Sequence, residues 1–483
     1  MSRSKRDSPT VAGQPCNSSI VRQHSGTARI AAAEQAKWSF AVGCMLAVFC
    51  VPHTGVAEDP AAAAITFSST GTATHVSAID YKIEIRGDIK TPHSTGTRTW
   101  PMESRGAFRF EQRSLPTDLG GPFTLRAVRR FSAAGTQTTV GTGTRTGVSL
   151  SKSYRTIHTF GSDTGLVHVS PKYALPRQQL DLLQMPCDVL VVAALLPSSA
   201  VSVGDKWNTD DWVMPMVMGV EAVIEQSATC ELKSANDETA IVLFNGRVHG
   251  ATLGSETTAS ISGEFTVHRR SGMITSLKAT QKEERTPGSV SPGLDVTAVI
   301  DWTQTLGSAD SKTLATLTET APSDRARLLL LQTSLKLQLT HSREWHLFHE
   351  TPSVLMMRQL RDGNLISQCN ISSAVTVAAK QHTPDSEFLS DVTDSVKQRN
   401  GRVVEQETVR DDNRWRIRHI RAIGDASGKV IVWDYYLCST GTGEQFSMFF
   451  SHAQDDAESF GDEATKLLAG LQIARKRPAL PFR

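Results

Sequence analysis

Between residues 221 and 305 the chain repeats one pattern five times: a β-rich run of strand length, then a cluster of turn-forming residues. The runs cover 221–233, 239–249, 256–268, 273–284 and 294–305, with breaks at Asn236-Asp237, Gly250 to Gly254, Arg270-Ser271-Gly272 and Pro287-Gly288. Links this short join antiparallel neighbours, and a sheet of this many strands must curl or split. Upstream, Tyr81 to Arg86 alternates apolar and polar residues with the period of a half-buried strand. Thr-rich runs at 98–111, 122–131, 136–150 and 152–160 extend the same pattern. Residues 76–306 therefore read as one large, curved, mostly antiparallel β domain. Its middle departs from the pattern. Pro176 opens a short helix carrying Leu180, Leu182 and Leu183, and Pro186 stops it. Val189 to Leu195 reads as a buried extended run, and a helical turn or two is expected near 210–219.

Residues 307–324 are small and polar, the composition of a linker. Beyond them Val354–Arg361 and Leu365–Ile371 form a hairpin pattern around Asp362-Gly363. Thr383-Pro384 starts a helix with Phe388, Leu389, Val392 and Val396 on one face, and Asn400-Gly401 ends it. Strands follow at 402–409, 414–423, 429–438 and 444–452, then a last helix over 456–474 burying Phe460, Leu467, Leu468 and Leu471. Arg475, Lys476 and Arg477 suit its carboxyl end. The expected fold class is thus α+β: a large curved antiparallel β domain followed by a smaller α+β sandwich domain over 325–477, with a tail at 478–483.

The amino-terminal region sets the compartment. Residues 38–51 are apolar and uncharged, preceded by Arg3, Lys5, Arg6, Arg22, Arg29 and Lys37 and followed by Pro52 and Gly55-Val56-Ala57. This is the layout of a secretory signal with a long basic leader over 1–57, cleaved near Ala57, and it points to a secreted or periplasmic protein. The run is short of the about 20 residues a helix needs to cross a bilayer, although a retained anchor stays open as an alternative. Cleavage leaves a flexible stretch over 58–75 rich in Ala, Ser and Thr. Six basic and two acidic residues leave with the leader, so the formal charge moves from +2 to about −2. Such a balance gives no concentrated basic face for nucleic acid, and no later segment is apolar enough to span a membrane. Cys16, Cys44 and Cys50 fall in the leader. Cys187, Cys230, Cys369 and Cys438 remain, and in an oxidising compartment they are disulfide candidates, 187 with 230 and 369 with 438, or else buried thiols.

Three stretches carry a resemblance: Val203-Gly204-Asp205-Lys206-Trp207; Lys282 to Arg285 with Pro292 to Val296; and Trp433 to Leu437 with Gln445-Phe446. Together with the basic leader they resemble a group of uncharacterised secreted proteins of planctomycete bacteria. The element order of the second domain is also similar to the PsbP-like fold, an antiparallel sheet between helices used mostly for binding partners. Neither resemblance implies catalytic or binding residues.

No reactive motif stands out. His341, Glu344, His346, His349 and Glu350 are the densest metal-capable set, but Trp345, Leu347 and Phe348 among them favour an extended segment that splits them between faces. Met214, Met216 and Met218 could bind a soft metal, though flexible Met more often fills a core. Gly161-Ser162-Asp163-Thr164-Gly165 misses the nucleophile elbow, and the Gly141 to Gly147 run lacks the lysine and the helix of a phosphate loop. Asp210-Asp211, Asp411-Asp412 and Asp455-Asp456 read as solvated turns, Arg86-Gly87-Asp88 as a strand-end turn, and Asn370-Ile371-Ser372 as a strand. No catalytic, cofactor-binding or metal-binding residue is assigned and no cofactor is expected. The reading is an exported, non-enzymatic binding or scaffold protein of the cell envelope, holding an apolar ligand or an envelope partner. Its alternatives are an extracellular or periplasmic hydrolase with dispersed catalytic residues, and a metal carrier.

Overall fold

The computed structural model describes residues 64–67, 76–115, 120–306, 314, 322–412, 414–426 and 428–474. The leader over 1–57 with its three cysteines, most of the 58–75 and 307–324 stretches, Arg475 to Arg477 and the tail lie outside the described residues. The described residues all belong to one compact unit.

The alternating runs become the long strands β1 (Val76–His93), β2 (Gly96–Ser114) and β3 (Arg126–Val140), followed by the shorter β4 (Thr146–Ser149), β5 (Thr156–Ser162) and β6 (Gly165–Val169). After the short β7 (Leu175–Pro176) and β8 (Lys206–Trp207) come β9 (Ala222–Ala235), β10 (Thr239–Thr252), β11 (Ser255–His268), β12 (Met273–Arg285) and β13 (Gly293–Leu306). Twelve of these make one open antiparallel sheet, ordered β6-β5-β3-β2-β1-β13-β12-β11-β10-β9-β8 with β4 beside β3. Cross-strand partners lie on the same face. A single row of partners runs Phe108, Tyr81, Trp302, Leu277, Phe265, Val242 and Leu232 across seven strands, and every member is buried. Burial of this row fixes the register together with the turns: a one-residue slip would turn the whole row to water.

That row packs against the chain itself. Arg177–Leu183, Val189–Val192 and Val213–Met218 are short helices on the row's face, and Leu180, Leu183, Val191, Val192, Leu195, Met214 and Val217 join the same core cluster. The 189–195 run is helical rather than extended, because the Asp188 side chain caps it at the Leu190 amide (2.9 Å). A short buried apolar run fits a helix as well as a strand, so periodicity could not decide.

The second sheet contains β16 (Trp345–Glu350), β17 (Val354–Arg361), β18 (Asn364–Ser373), β19 (Gly401–Asp411), β20 (Trp415–Ala426), β21 (Lys429–Thr440) and β22 (Gln445–Ala453), ordered β16-β17-β18-β22-β21-β20-β19. The helix Asp385–Lys397 covers one face through Phe388, Val392 and Val396. The expected helix over 456–474 is broken: Gly461 takes a left-handed φ of 54°, a separate helix runs Glu463–Ala469, and Leu471–Ile473 forms strand β23. A third, small sheet orders β23, β15 (Leu337–His341), β14 (Leu329–Gln332) and β7, so it draws strands from both sides of the 307–324 stretch. Arginines reinforce this junction: Arg177 donates to the Trp345 carbonyl (3.2 Å) and Arg343 to the His168 carbonyl (2.6 Å).

The α+β expectation is therefore corrected. The chain is mostly antiparallel β in large open sheets, and the longest helix among the described residues has 13 residues. The amphipathic patterns between Thr383-Pro384 and Asn400-Gly401 and over 456–474 suggest half of a domain, whereas in the structure these pieces are thin covers on sheets that carry most of the residues.

Candidate functional site: a polar groove on the outer face of the large sheet

The inner face of the large sheet is closed by hydrogen bonds as well as packing. Tyr81 Oη donates to the Pro186 carbonyl (2.7 Å), Trp302 Nε1 to the Cys187 carbonyl (3.0 Å) and Gln281 Nε2 to the Met218 carbonyl (3.1 Å). Arg129 lies between the sheet and these helices with 0% of its side chain exposed. Its Nη1 donates to Asp188 (2.7 Å), its Nη2 to the other carboxylate oxygen, and its Nε to Gln112 (2.8 Å). Burial pushes the Asp188 carboxyl up, but Arg129 outweighs it and holds the group below the usual carboxylate range. His168, buried beside this pair, is pushed down to about 3 by burial and by Arg129, and it shares a hydrogen bond with Thr159 (3.0 Å). An apolar ligand on this face would have to displace residues the sheet already holds.

The opposite face is open. A groove of about 610 Å³ crosses β1, β2, β3, β5 and β13. It arises from a β-bulge: Arg109 pairs with Ala133 and Phe110 with Phe131, so Ser132 is the extra residue. Ser132 Oγ clips the bulge by donating to the Arg109 carbonyl (3.2 Å), and the Phe131 amide donates to the Arg155 carbonyl (2.8 Å), which sets Arg155 at the rim. Arg109 Nε bonds Asp80 Oδ2 (2.8 Å), and Arg130 bonds Glu111 Oε2 through Nη2 (2.6 Å) and Nε (3.0 Å). Each carboxylate keeps one oxygen without a partner among the described residues, as do the two Nη groups of Arg109 and the whole Arg155 guanidinium. Ser132, Thr156, Thr303 and Thr305 add hydroxyls, while Phe110 and Phe131 turn their rings to the inner-face core. A smaller cleft of about 270 Å³ lies near the β9 edge between Glu225, Arg247 and His249.

The residues singled out from sequence do not meet here. Cys187, Cys230, Cys369 and Cys438 are all free, buried thiols. Burial pushes the thiols of Cys230 and Cys438 up to about 12, and those of Cys187 and Cys369 also upward. His341 is buried with Nδ1 against the Ser342 carbonyl (2.7 Å), Glu344 pairs with Arg361 (2.8 Å), and His349 and Glu350 are exposed on β16. No group of three or more His, Cys, Asp or Glu side chains converges as a metal site among the described residues. Met214 and Met218 are buried in the inner-face core, with Met216 packed against it.

Sequence reading missed a second buried polar constellation, on the sheet of β16 to β22. His419 Nε2 bonds Asp434 (2.8 Å), its Nδ1 bonds Glu407 (3.1 Å), and its ring stacks on Tyr436 at 4.4 Å. Arg421 Nε bonds the same Asp434 oxygen (2.7 Å). Burial raises the Asp434 carboxyl, yet the bonds from His419 and Arg421 leave it lowered overall. Both His419 nitrogens are engaged by carboxylates, and His452 spends Nδ1 on the Ala453 carbonyl (2.8 Å). The hydroxyl–imidazole pairs among the described residues are Thr159–His168 (3.0 Å), Ser271–His268 (2.9 Å), Thr95–His93 (3.1 Å) and Ser94–His93 (3.5 Å), and none has a carboxylate bonded to the other ring nitrogen. The one signal for such networks is their register: on β20 and β21 Arg421 pairs with Asp434 and His419 with Tyr436, which sets His419 diagonally beside Asp434, and a single sequence does not reveal this.

No protein-family model matches the chain, and no curated protein sequence does. Among solved structures, lipovitellin, studied for its lipid–protein interactions, is similar over 52% of this chain at 10% identity with a TM-score of 0.29. A Bacteroides thetaiotaomicron protein is similar over 31% of this chain at 13% identity, with a TM-score of 0.20. DynF of the dynemicin biosynthesis pathway of Micromonospora chersina is similar over 53% of this chain and 93% of its own, at 8% identity and a TM-score of 0.14. The chain spans 27% of lipovitellin and 49% of the Bacteroides protein. At these scores the likenesses carry no argument about fold or activity.

Proposed function

We propose that this is an exported, non-enzymatic binding protein that holds a polar partner in the groove on the outer face of its large sheet. The observation that carries the reading is the contrast between the two faces. The inner face is packed by residues 177–218 and pinned by Tyr81, Arg129 and Trp302, whereas the outer face keeps an open groove with unsatisfied donors and acceptors. Ligand sites are concave and carry a few convergent polar groups, and about 610 Å³ lies within the usual range of such sites. Export rests on the apolar run at 38–51 and the basic residues before it. No helix among the described residues is long and apolar enough to cross a membrane.

The test is an array of glycans, peptides and lipids probed with the full protein and with Ala78→Trp. Ala78 lines the groove between Glu111 and Thr305, so the indole fills the groove without touching the inner core. The reading expects array signals that Ala78→Trp abolishes while the melting temperature stays unchanged. Signals that survive the substitution, or signals from lipids alone, would place the ligand elsewhere, the inner face included.

A further inference from the structure

We infer that the groove takes an acidic carbohydrate, an oligosaccharide bearing a carboxylate on its sugar ring; this rests on the reading of the groove as the binding site. Charge comes first. Arg109, Arg130 and Arg155 face Asp80 and Glu111, which leaves one positive charge uncompensated in a protein that is otherwise near neutral. The uncompensated group is Arg155, whose guanidinium makes no hydrogen bond or ion pair among the described residues. On the other side of β3, Arg109 spends only Nε on Asp80 among the described residues, so its two Nη groups stay available. Paired guanidinium N–H groups match the two oxygens of a carboxylate, a fit that a lysine ammonium does not provide.

The remaining lining selects for hydroxyls. Thr156, Thr303 and Thr305 each can donate and accept, Ser132, its proton on the Arg109 carbonyl, can accept, and the second oxygens of Asp80 and Glu111 are acceptors only. A ring carrying several hydroxyls satisfies such a mixed set. An acidic peptide fits less well for two reasons. The groove lies on the face of strands paired on both sides, as β1 is by β2 and β13, so no free strand edge offers the backbone bonds by which sheets capture peptides. The rings of Phe110 and Phe131 pack into the inner-face core, at 3% and 1% exposure, so the groove offers no apolar pocket for a side chain.

The experiment is calorimetric titration of the full protein with hexagalacturonate, with a neutral hexasaccharide (maltohexaose) and with hexaglutamate. The wild type, Arg155→Gln and Arg109→Gln are compared, and melting temperatures confirm that each variant is folded. The expected result is binding of hexagalacturonate at least tenfold tighter than of either other probe, weakened at least tenfold by Arg155→Gln and weakened by added salt. Equal or tighter binding of the neutral sugar, tighter binding of hexaglutamate, indifference to Arg155→Gln, or no binding of any probe would each overturn the inference. An array signal from another ligand class that Ala78→Trp abolishes would overturn it while leaving the groove itself as the binding site.

Discussion

Replacing Asp188 with Leu is the sharpest perturbation of the packed inner face. Asp188 is 1% exposed and, among the described residues, is the only carboxylate bonded to Arg129, itself fully buried. Removing one member of a buried ion pair strands the other charge and costs about 3–5 kcal/mol. The same side chain caps the helix Val189–Val192 at the Leu190 amide, which adds about 1 kcal/mol. Against a typical total of about 5–15 kcal/mol, the loss is large enough to loosen the inner-face helices first. The assay is urea unfolding followed by tryptophan fluorescence, with amide exchange over 177–218. The charge explanation makes a second demand. The triple variant Asp188→Leu, Arg129→Met, Gln112→Leu removes the stranded guanidinium and the Gln112 oxygen that Arg129 satisfies, so it should regain at least half of the loss. If Asp188→Leu costs under 1 kcal/mol, or if the triple is no more stable than the single, the ion pair does not hold the inner face as described.

Acid should weaken the fold from near-neutral pH downward. His168 is held neutral in the folded protein with a pKa of about 3, against 6.5 in the unfolded chain, so its contribution is complete above pH 6.5 and is lost as pH falls towards 3. His341, pushed down to about 4 mainly by burial, acts in the same direction. The lowered carboxyls of Asp188 and Asp434 contribute above the unfolded carboxyl pKa and are lost below it. Urea midpoints at pH 7.5, 6, 5 and 4 should fall at every step, and His168→Gln should flatten the part between 6.5 and 5; midpoints constant from 7.5 to 5 would count against a neutral buried imidazole. Gly246→Ala should destabilise by about 1–3 kcal/mol, because a Cβ there would lie 2.5 Å from the Met214 sulfur, and Met214→Ala should rescue part of that loss when combined with it. Equal losses in the presence and absence of Met214 would refute the contact. Arg343→Ala should expose the β7–β14 junction to protease before either large sheet unfolds, since it removes the bond to the His168 carbonyl; cleavage at the wild-type rate would show that the arginine is dispensable.

The long sheet was largely legible in the sequence because its information is local. The turns at Asn236-Asp237, Gly254 and Gly272, together with the β-rich runs between them, placed β9 to β13 within a few residues. The hairpin around Asp362-Gly363 is formed as read, with both residues at positive φ. What failed was long-range or two-valued. The pairing of β1 with β13 joins residues more than 200 apart, and no local signal records it. The strands of the small sheet, β14, β15 and β23, are four, five and three residues long, too short for periodicity to show. Val189 to Leu195 is apolar all round, which fits either a buried helix or a buried strand. The groove was invisible for a different reason. It depends on one extra residue, Ser132, in β3, and Arg109, Arg130 and Arg155 look in sequence like ordinary solvated strand residues until the register brings them together.

What occupies the inner face of the large sheet decides which of its two faces is left to bind a ligand. Native mass spectrometry of the protein purified from its own compartment without detergent, followed by denaturation and organic extraction, measures this. The predicted result is a folded species at the mass of the polypeptide alone, with no lipid released. One or more equivalents of an acyl lipid or other apolar molecule per chain, lost together with the slow amide exchange of residues 177–218, would contradict it.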